Sequence, residues 1–144
     1  MALVYFDSSA LVKLVVEEDG TETAAALWDG CDAALSSRIA YPEVCAALAA
    51  AERNDDLDSR SHAAALRGWE TYWAATRPVE LTVDVERAAG DLARRLALRG
   101  ADAIHLASAR ALGVSDLVVA VWDRRLHAGA MALGLAVAPA TLGS

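Results

Sequence analysis

Lysine is almost missing: Lys13 is the only one in 144 residues, and the other twelve basic residues are arginines. Any recognition of anions therefore falls to guanidinium groups, whose planar donors suit phosphate. Basic charge as a whole is scarce too. Twenty acidic against thirteen basic residues give a formal net charge of −7. That balance argues against a protein that grips nucleic acid by bulk electrostatics, because such affinity rests on many Lys and Arg contacts to phosphate. It leaves room for a nuclease that works through a metal ion. Cysteine occurs only at Cys31 and Cys45, neither a close pair nor part of a four-ligand pattern, so both are expected to be reduced. The uncharged stretch from Ala128 to Ser144 is broken by Gly129, Gly134 and Pro139 and is not a membrane span. No basic segment followed by an apolar run and a small-residue cleavage site opens the chain, so no signal peptide is expected. Linkers, low-complexity segments and internal repeats are lacking as well. With 56% hydrophobic residues, these absences predict one soluble, cytoplasmic domain with a single buried core.

What is present alternates between short apolar runs and helical patterns. Leu3 to Phe6 is a continuous apolar run, as expected of a parallel strand covered on both faces. It stops at Asp7, and Ser8 or Ser9 is placed to cap a helix beginning near Ala10. The acidic run Glu17, Glu18, Asp19 and then Gly20 mark an exposed turn. A helix over Thr21 to Asp29 ends at Gly30, and Ala33 to Ser36 is a short strand. Pro42 suits the first position of an alanine-rich helix running to about Arg53, which puts Glu43 in its first turn. Ser59 can cap the next helix, to about Thr76, where Leu66, Trp69 and Trp73 recur at helical spacing as a core stripe or a dimer surface. Val79 to Thr82 reads as a third strand. Asp84 can cap a helix closed by Arg99 and Gly100, and Ala101 to Leu112 forms another with Asp102 in its first turn. Leu117 to Val121 is a second buried strand, followed by Trp122 and Asp123. A last helix to Leu133 and a strand Ala136 to Ala138 complete a pattern that predicts a mostly parallel sheet between helices.

Four carboxylates share one address in that scheme. Asp7 and Asp123 stand just past strand ends, and Glu43 and Asp102 lie in first turns of helices. Each alone is as readily a helix cap as a functional group. Together they differ, because strand ends and the starts of following helices lie on one edge of a parallel sheet, where ligands bind. Carboxylates brought close repel unless a cation sits among them. Mg²⁺ or Mn²⁺ suits oxygen ligands, whereas no Cys and His set has zinc spacing. Such an ion could activate a water for in-line attack on a phosphodiester.

Four segments carry a family likeness: Tyr-Phe-Asp-Ser-Ser-Ala-Leu-Val-Lys-Leu, Tyr-Pro-Glu-Val-Cys-Ala-Ala-Leu, Leu-Arg-Gly-Ala-Asp-Ala-Ile-His-Leu-Ala-Ser-Ala and Val-Trp-Asp-Arg-Arg-Leu. In this order they resemble the PIN-domain ribonucleases, particularly the VapC-type toxins of bacterial toxin–antitoxin pairs. The resemblance implies a single PIN-like nuclease domain over residues 1–144, a three-layer α/β sandwich whose five-stranded sheet is flanked by helices. It implies an Mg²⁺- or Mn²⁺-dependent endoribonuclease with Asp7, Glu43, Asp102 and Asp123 as the acidic cluster. Asp7, Asp102 and Asp123 would be the metal ligands, and Ser8 or Ser9 would support them by hydrogen bonds. It also implies a homodimer and a small antitoxin whose C-terminal segment enters the active-site groove. One residue departs from the family, which often has Thr or Ser before the fourth acid, where Trp122 stands here.

Arg38, Arg99, Arg124 and Arg125 flank three of the proposed acids, either as phosphate contacts or as partners of neighbouring carboxylates. His105 lies three residues after Asp102 and can share its helix face as a general base, metal ligand, hydrogen-bond support or packing residue. His62 and His127 are expected at the surface, and Asp116, which precedes a strand, on the opposite edge of the sheet. Other functions remain open at this stage. They are an RNA-processing nuclease of the same fold without an antitoxin, a metal-free binding module, and a receiver-like signalling domain. The last needs an acidic pair near the first strand and a late lysine, and the chain has only Lys13.

Overall fold

The computed structural model describes residues 2–143. The chain folds as β1 (Leu3–Phe6), α1 (Ser8–Val15), α2 (Thr21–Gly30), β2 (Ala33–Ser37), α3 (Ala40–Arg53), α4 (Ser59–Ala74), β3 (Arg77–Val79), α5 (Val83–Leu96), α6 (Gly100–Ala111), β4 (Val118–Ala120), α7 (Arg124–Ala132) and β5 (Ala136–Ala138). All strand pairs are parallel, in the order β3-β2-β1-β4-β5. The chain winds outward from β1 through β2 to β3, then crosses over to lay β4 on the other side of β1. The winding direction therefore reverses between β1 and β4, the place where open parallel sheets hold ligands.

Period-two alternation in β1 divides the interior into two layers. Tyr5 joins Leu35, Val119, Leu92, Leu106 and Leu126 on the face covered by α5, α6 and α7. Val4 and Phe6 join Leu11, Val44, Leu48 and Trp69 on the other, under α1, α3 and α4. The buried β2 is alanine-rich, so its place in the sheet comes from burial between helices rather than from strand propensity. Trp69 is fully buried, while Leu66 and Trp73 are half-buried beside it. No helix among the described residues is long and apolar enough to cross a membrane.

Several element ends differ from expectation. The third strand is Arg77–Val79 rather than Val79 to Thr82. Pro78 sits inside it, which is tolerated because β3 is an edge strand and needs no N–H toward a further neighbour. Ser8 and Ser9 are helical residues of α1, and Asp7 itself is the cap, its carboxylate accepting from Ala10 N–H. Likewise Asp58, not Ser59, caps α4, and Thr82, not Asp84, caps α5. In each case the residue with extended backbone just outside the helix is the one whose side chain can turn back onto the N–H three residues on. Pro42 is the third residue of α3, which leaves Glu43 in its first turn. His127 is buried, its Nε2 2.8 Å from the Pro139 carbonyl, and His62 is half-buried with Nδ1 3.1 Å from Glu52; neither is a free surface histidine.

The turn between α1 and α2 closes against Trp122. Lys13 Nζ donates to Glu18 Oε1 at 3.0 Å and to the Asp19 carbonyl at 2.7 Å, and lies 5.2 Å from the centre of the Trp122 ring. Gly20 has φ +94°, and a Cβ there would meet Trp122 Nε1 at 2.7 Å. Gly20→Ala is therefore expected to cost about 2–4 kcal/mol from backbone strain and overpacking together. A thermal melt with wild-type stability would show that the turn does not press on Trp122.

Candidate functional site

The acids reach the carboxyl edge of the sheet by the routes just described. Asp7 follows β1, and its backbone N–H donates to the Ala120 carbonyl at 3.2 Å, extending the ladder by one residue toward β4. Asp123 follows β4 and caps α7, its Oδ1 accepting from Leu126 N–H at 3.0 Å. Two of the four acids thus flank the point where the winding reverses. Asp102 is buried in the first turn of α6, and Glu43 is partly exposed in the first turn of α3.

No hydrogen bond joins any two of these four directly; one arginine bridges two of them, and the other two are held separately. The Arg99 guanidinium, just ahead of α6, donates from Nε to Asp102 Oδ2 at 2.9 Å and from Nη2 to Asp123 Oδ2 at 3.3 Å. His105, one turn along α6 from Asp102, stands 2.7 Å through Nε2 from Glu43 Oε1. Its Nδ1 is 2.8 Å from the hydroxyl of Tyr5, a fully buried residue of β1. Ser9 Oγ donates to Asp7 Oδ1 at 2.6 Å and accepts from Trp122 N–H at 3.0 Å, tying the end of β1 to the end of β4. At position 122, where the family often has Thr or Ser, it is the backbone of Trp122 that makes this bond to Ser9. Its ring is turned toward Lys13 and Gly20 instead. The Ser8 side chain makes no hydrogen bond among the described residues.

Electrostatics explain the pairing. Burial pushes the Asp7 carboxyl up to about 6; His105, the Ser9 hydroxyl and the Ala10 N–H pull it down, and the charge of Asp123 adds to the rise. Burial also raises the Tyr5 hydroxyl well above its usual range, with the charges of Asp7 and Glu43 adding to the rise. Among the described residues no three His, Cys, Asp or Glu side chains are posed to hold one ion together. Instead, the acids face a guanidinium, whose charge relieves the repulsion that bare carboxylates would suffer, and an imidazole within hydrogen-bond distance of Glu43. The donor set still fits a hard divalent cation. It is built of carboxylates, and Asp7 Oδ2 and Glu43 Oε2 accept no hydrogen bond among the described residues. Arg99 shows that a positive charge is drawn to the acids.

The remaining arginines are placed differently. Arg38 pairs with Glu80, Arg124 donates to the Gly143 carbonyl, and Arg125 borders a hollow lined by Leu96, Leu98 and Gly129. Asp116 is exposed ahead of β4, on the edge away from the acids, as expected. Sequence reasoning left the role of His105 open and missed Tyr5. The signal for Tyr5 was its position two residues before Asp7, the spacing that along an extended chain puts two side chains on one side.

The PIN domain profile matches residues 4–129. Two curated relatives from Mycobacterium tuberculosis, Ribonuclease VapC45 (strain CDC 1551 / Oshkosh) and Ribonuclease VapC49 (strain ATCC 25618 / H37Rv), are each 69% identical over 142 residues, covering 99% of both chains. Among solved structures, a toxin–antitoxin complex from Klebsiella pneumoniae is similar in fold. It has a TM-score of 0.67 at 20% identity, and the match covers 99% of this chain and 100% of that one. With a profile spanning most of the chain and relatives matched end to end, this chain belongs to the PIN-domain family, in its VapC branch.

Proposed function

We propose that the chain is a divalent-metal-dependent endoribonuclease, the toxin of a bacterial toxin–antitoxin pair. The observation that carries this reading is the Arg99 guanidinium held between Asp102 and Asp123, with the charge of Asp123 also felt by Asp7, at the sheet edge where β1 and β4 part. The names of the two 69% identical relatives support a ribonuclease. The fold shared with a toxin–antitoxin complex is in keeping with a small protein antitoxin as partner. Residues 1–144 form one nuclease domain in this reading, working in the cytoplasm as a homodimer.

Asp7, Asp102 and Asp123 would hold Mg²⁺ or Mn²⁺, with Glu43 beside them as a further catalytic carboxylate. A bound ion would supply a water of lowered pKa and positive charge opposite the leaving oxygen. The protein's own groups prepare the place. Ser9 and the Ala10 N–H hold Asp7 through Oδ1, and Oδ2, which accepts no hydrogen bond among the described residues, would be the oxygen available to an ion. Arg99 is the one arginine of the four standing at the acids, where it can pass from carboxylate to RNA phosphate. Arg38, Arg124 and Arg125 would meet the backbone farther along the strand.

The test is to express the protein alone in bacterial cells and map new RNA ends, with Asp102→Asn in parallel. New ends that require Asp102, and in vitro cleavage that stops with a chelator and resumes with Mn²⁺, are expected. The same ends from the variant, or cleavage indifferent to chelation, would remove the assignment.

A further inference from the structure

We propose that His105 is a positioning residue for Glu43: a buried strut running from the Tyr5 hydroxyl through the imidazole to the carboxylate at the head of α3. The inference rests on the nuclease reading and deepens it, since Glu43 is one of the acids assigned to catalysis there.

The direction of the chain follows from donor and acceptor chemistry. Glu43 is a carboxylate and can only accept, so the ring nitrogen 2.7 Å away, Nε2, carries the proton. In the neutral ring Nδ1 is then a bare acceptor, and the Tyr5 hydroxyl 2.8 Å from it must donate. Tyr5 meets that demand because it is fully buried, where the charged phenolate is disfavoured and the proton stays on oxygen. The ring cannot swing away. His105 itself is 2% exposed, and Tyr5 packs edge-on against it at a centroid distance of 5.9 Å and an interplanar angle of 78°.

Glu43 needs such support. Its side chain is 31% exposed at the start of a helix, and among the described residues His105 makes its only hydrogen bond. A glutamate so placed otherwise samples several rotamers, and the freedom lost on reaching the reactive one slows the chemical step. Fixing Oε1 through a buried ring holds the carboxylate ready while Oε2 remains available. The three residues come from β1, α3 and α6, so the strut also locks the sheet edge to both helices that carry Glu43 and Asp102.

Two amide substitutions separate positioning from packing. Glutamine places its N–H near the Nε2 position and can still donate to Glu43. Asparagine reaches only the Nδ1 position, so it can meet Tyr5 but not Glu43. Both are uncharged and fit the volume of the ring. His105→Asn is expected to lower kcat about twentyfold, with KM for RNA and Mn²⁺ affinity by calorimetry within about twofold of wild type. His105→Gln is expected to restore kcat to within about threefold. Tyr5→Phe, which leaves the Nε2 contact intact, is expected to lose about threefold. Equal rates for the Asn and Gln variants, or a change carried by KM alone, would overturn the proposal. Nitrogen-15 spectra of the imidazole test the geometry without any turnover: a ring protonated at Nε2 is expected, and one protonated only at Nδ1 would sink the strut. If the wild type failed to cut RNA with Mn²⁺, the nuclease reading would fall, and the ring spectrum would still decide whether the strut exists.

Discussion

Asp7→Asn is expected to reduce RNA cleavage on the order of a thousandfold, the scale for losing a charged group aimed at the reacting centre, and yet to raise the melting temperature of the metal-free protein. The two effects share a cause. Burial holds the Asp7 carboxyl at a pKa of about 6, and its hydrogen bonds do not cancel that rise. At pH 7.5 the folded protein therefore keeps an ionised group where a neutral one would be preferred. The native pKa lies above the unfolded value of 3.8, so the native state holds this proton more tightly. The wild type accordingly gains stability as pH falls from about 6 to about 4, and the penalty is fully present above pH 6. Two pKa units correspond to about 3 kcal/mol. Asparagine must desolvate its own amide, so a net gain of roughly 2 kcal/mol is expected, or about 4–8 °C. The cap survives, because asparagine offers Oδ1 to Ser9 and Ala10 as aspartate does. Calorimetry with a chelator at pH 7.5 and at pH 4.5 tests this: the variant's advantage should shrink at the lower pH. Mn²⁺ should reverse the ranking, since it stabilises only the protein that binds it. A variant that cuts RNA normally would end the catalytic assignment. One less stable than wild type at both pH values would show that the buried charge is not strained.

The parts of this arrangement legible in the sequence are those set by local pattern. The apolar runs before Asp7 and Asp123 mark buried parallel strands, and a strand that ends in an acid before a helix places that acid on the ligand edge. Burial on both faces makes those runs continuous, so β1 and β4 stood out and their neighbours followed from alternation. What local pattern could not give is anything decided across the sheet. Pro78 reads as a breaker until β3 is seen to be an edge strand, where the missing N–H costs nothing. The caps slipped by a residue or two because Ser59 and Asp84 are good capping types, and only the backbone angles show that Asp58 and Thr82 occupy the extended position. His127 was expected outside because nothing near it in sequence announces the Pro139 carbonyl that receives it.

The same limit explains the site. That four acids share an edge could be argued from strand and helix order alone. That Arg99 bridges two of them, while His105 and Ser9 tie Glu43 and Asp7 to other parts of the chain, could not, because the Tyr5–His105 bond spans 100 residues and the His105–Glu43 bond 62. Convergence of the carboxylates had suggested a divalent ion among them; the positive charge that stands against Asp102 and Asp123 is of another kind. It is a guanidinium of the chain itself, three residues before Asp102.

Arg99→Gln is for that reason expected to tighten Mn²⁺ binding about tenfold while weakening RNA cleavage at limiting substrate. On the proposed ligand set, an incoming divalent ion would have to displace the guanidinium from Asp102 and Asp123 and then tolerate a positive neighbour. Both costs vanish with glutamine. The Arg99 side chain is 63% exposed, so solvent screens both pairs and the gain stays modest. RNA should respond in the opposite sense, because the glutamine amide cannot hold a phosphate by a charged, two-pronged contact. Calorimetric Mn²⁺ titration beside initial rates at low RNA concentration separates the two. Metal affinity that is unchanged or weaker would mean that the guanidinium does not stand where the ion goes. Unchanged cleavage at low RNA would mean that Arg99 serves the empty site alone and gives up no contact to the substrate.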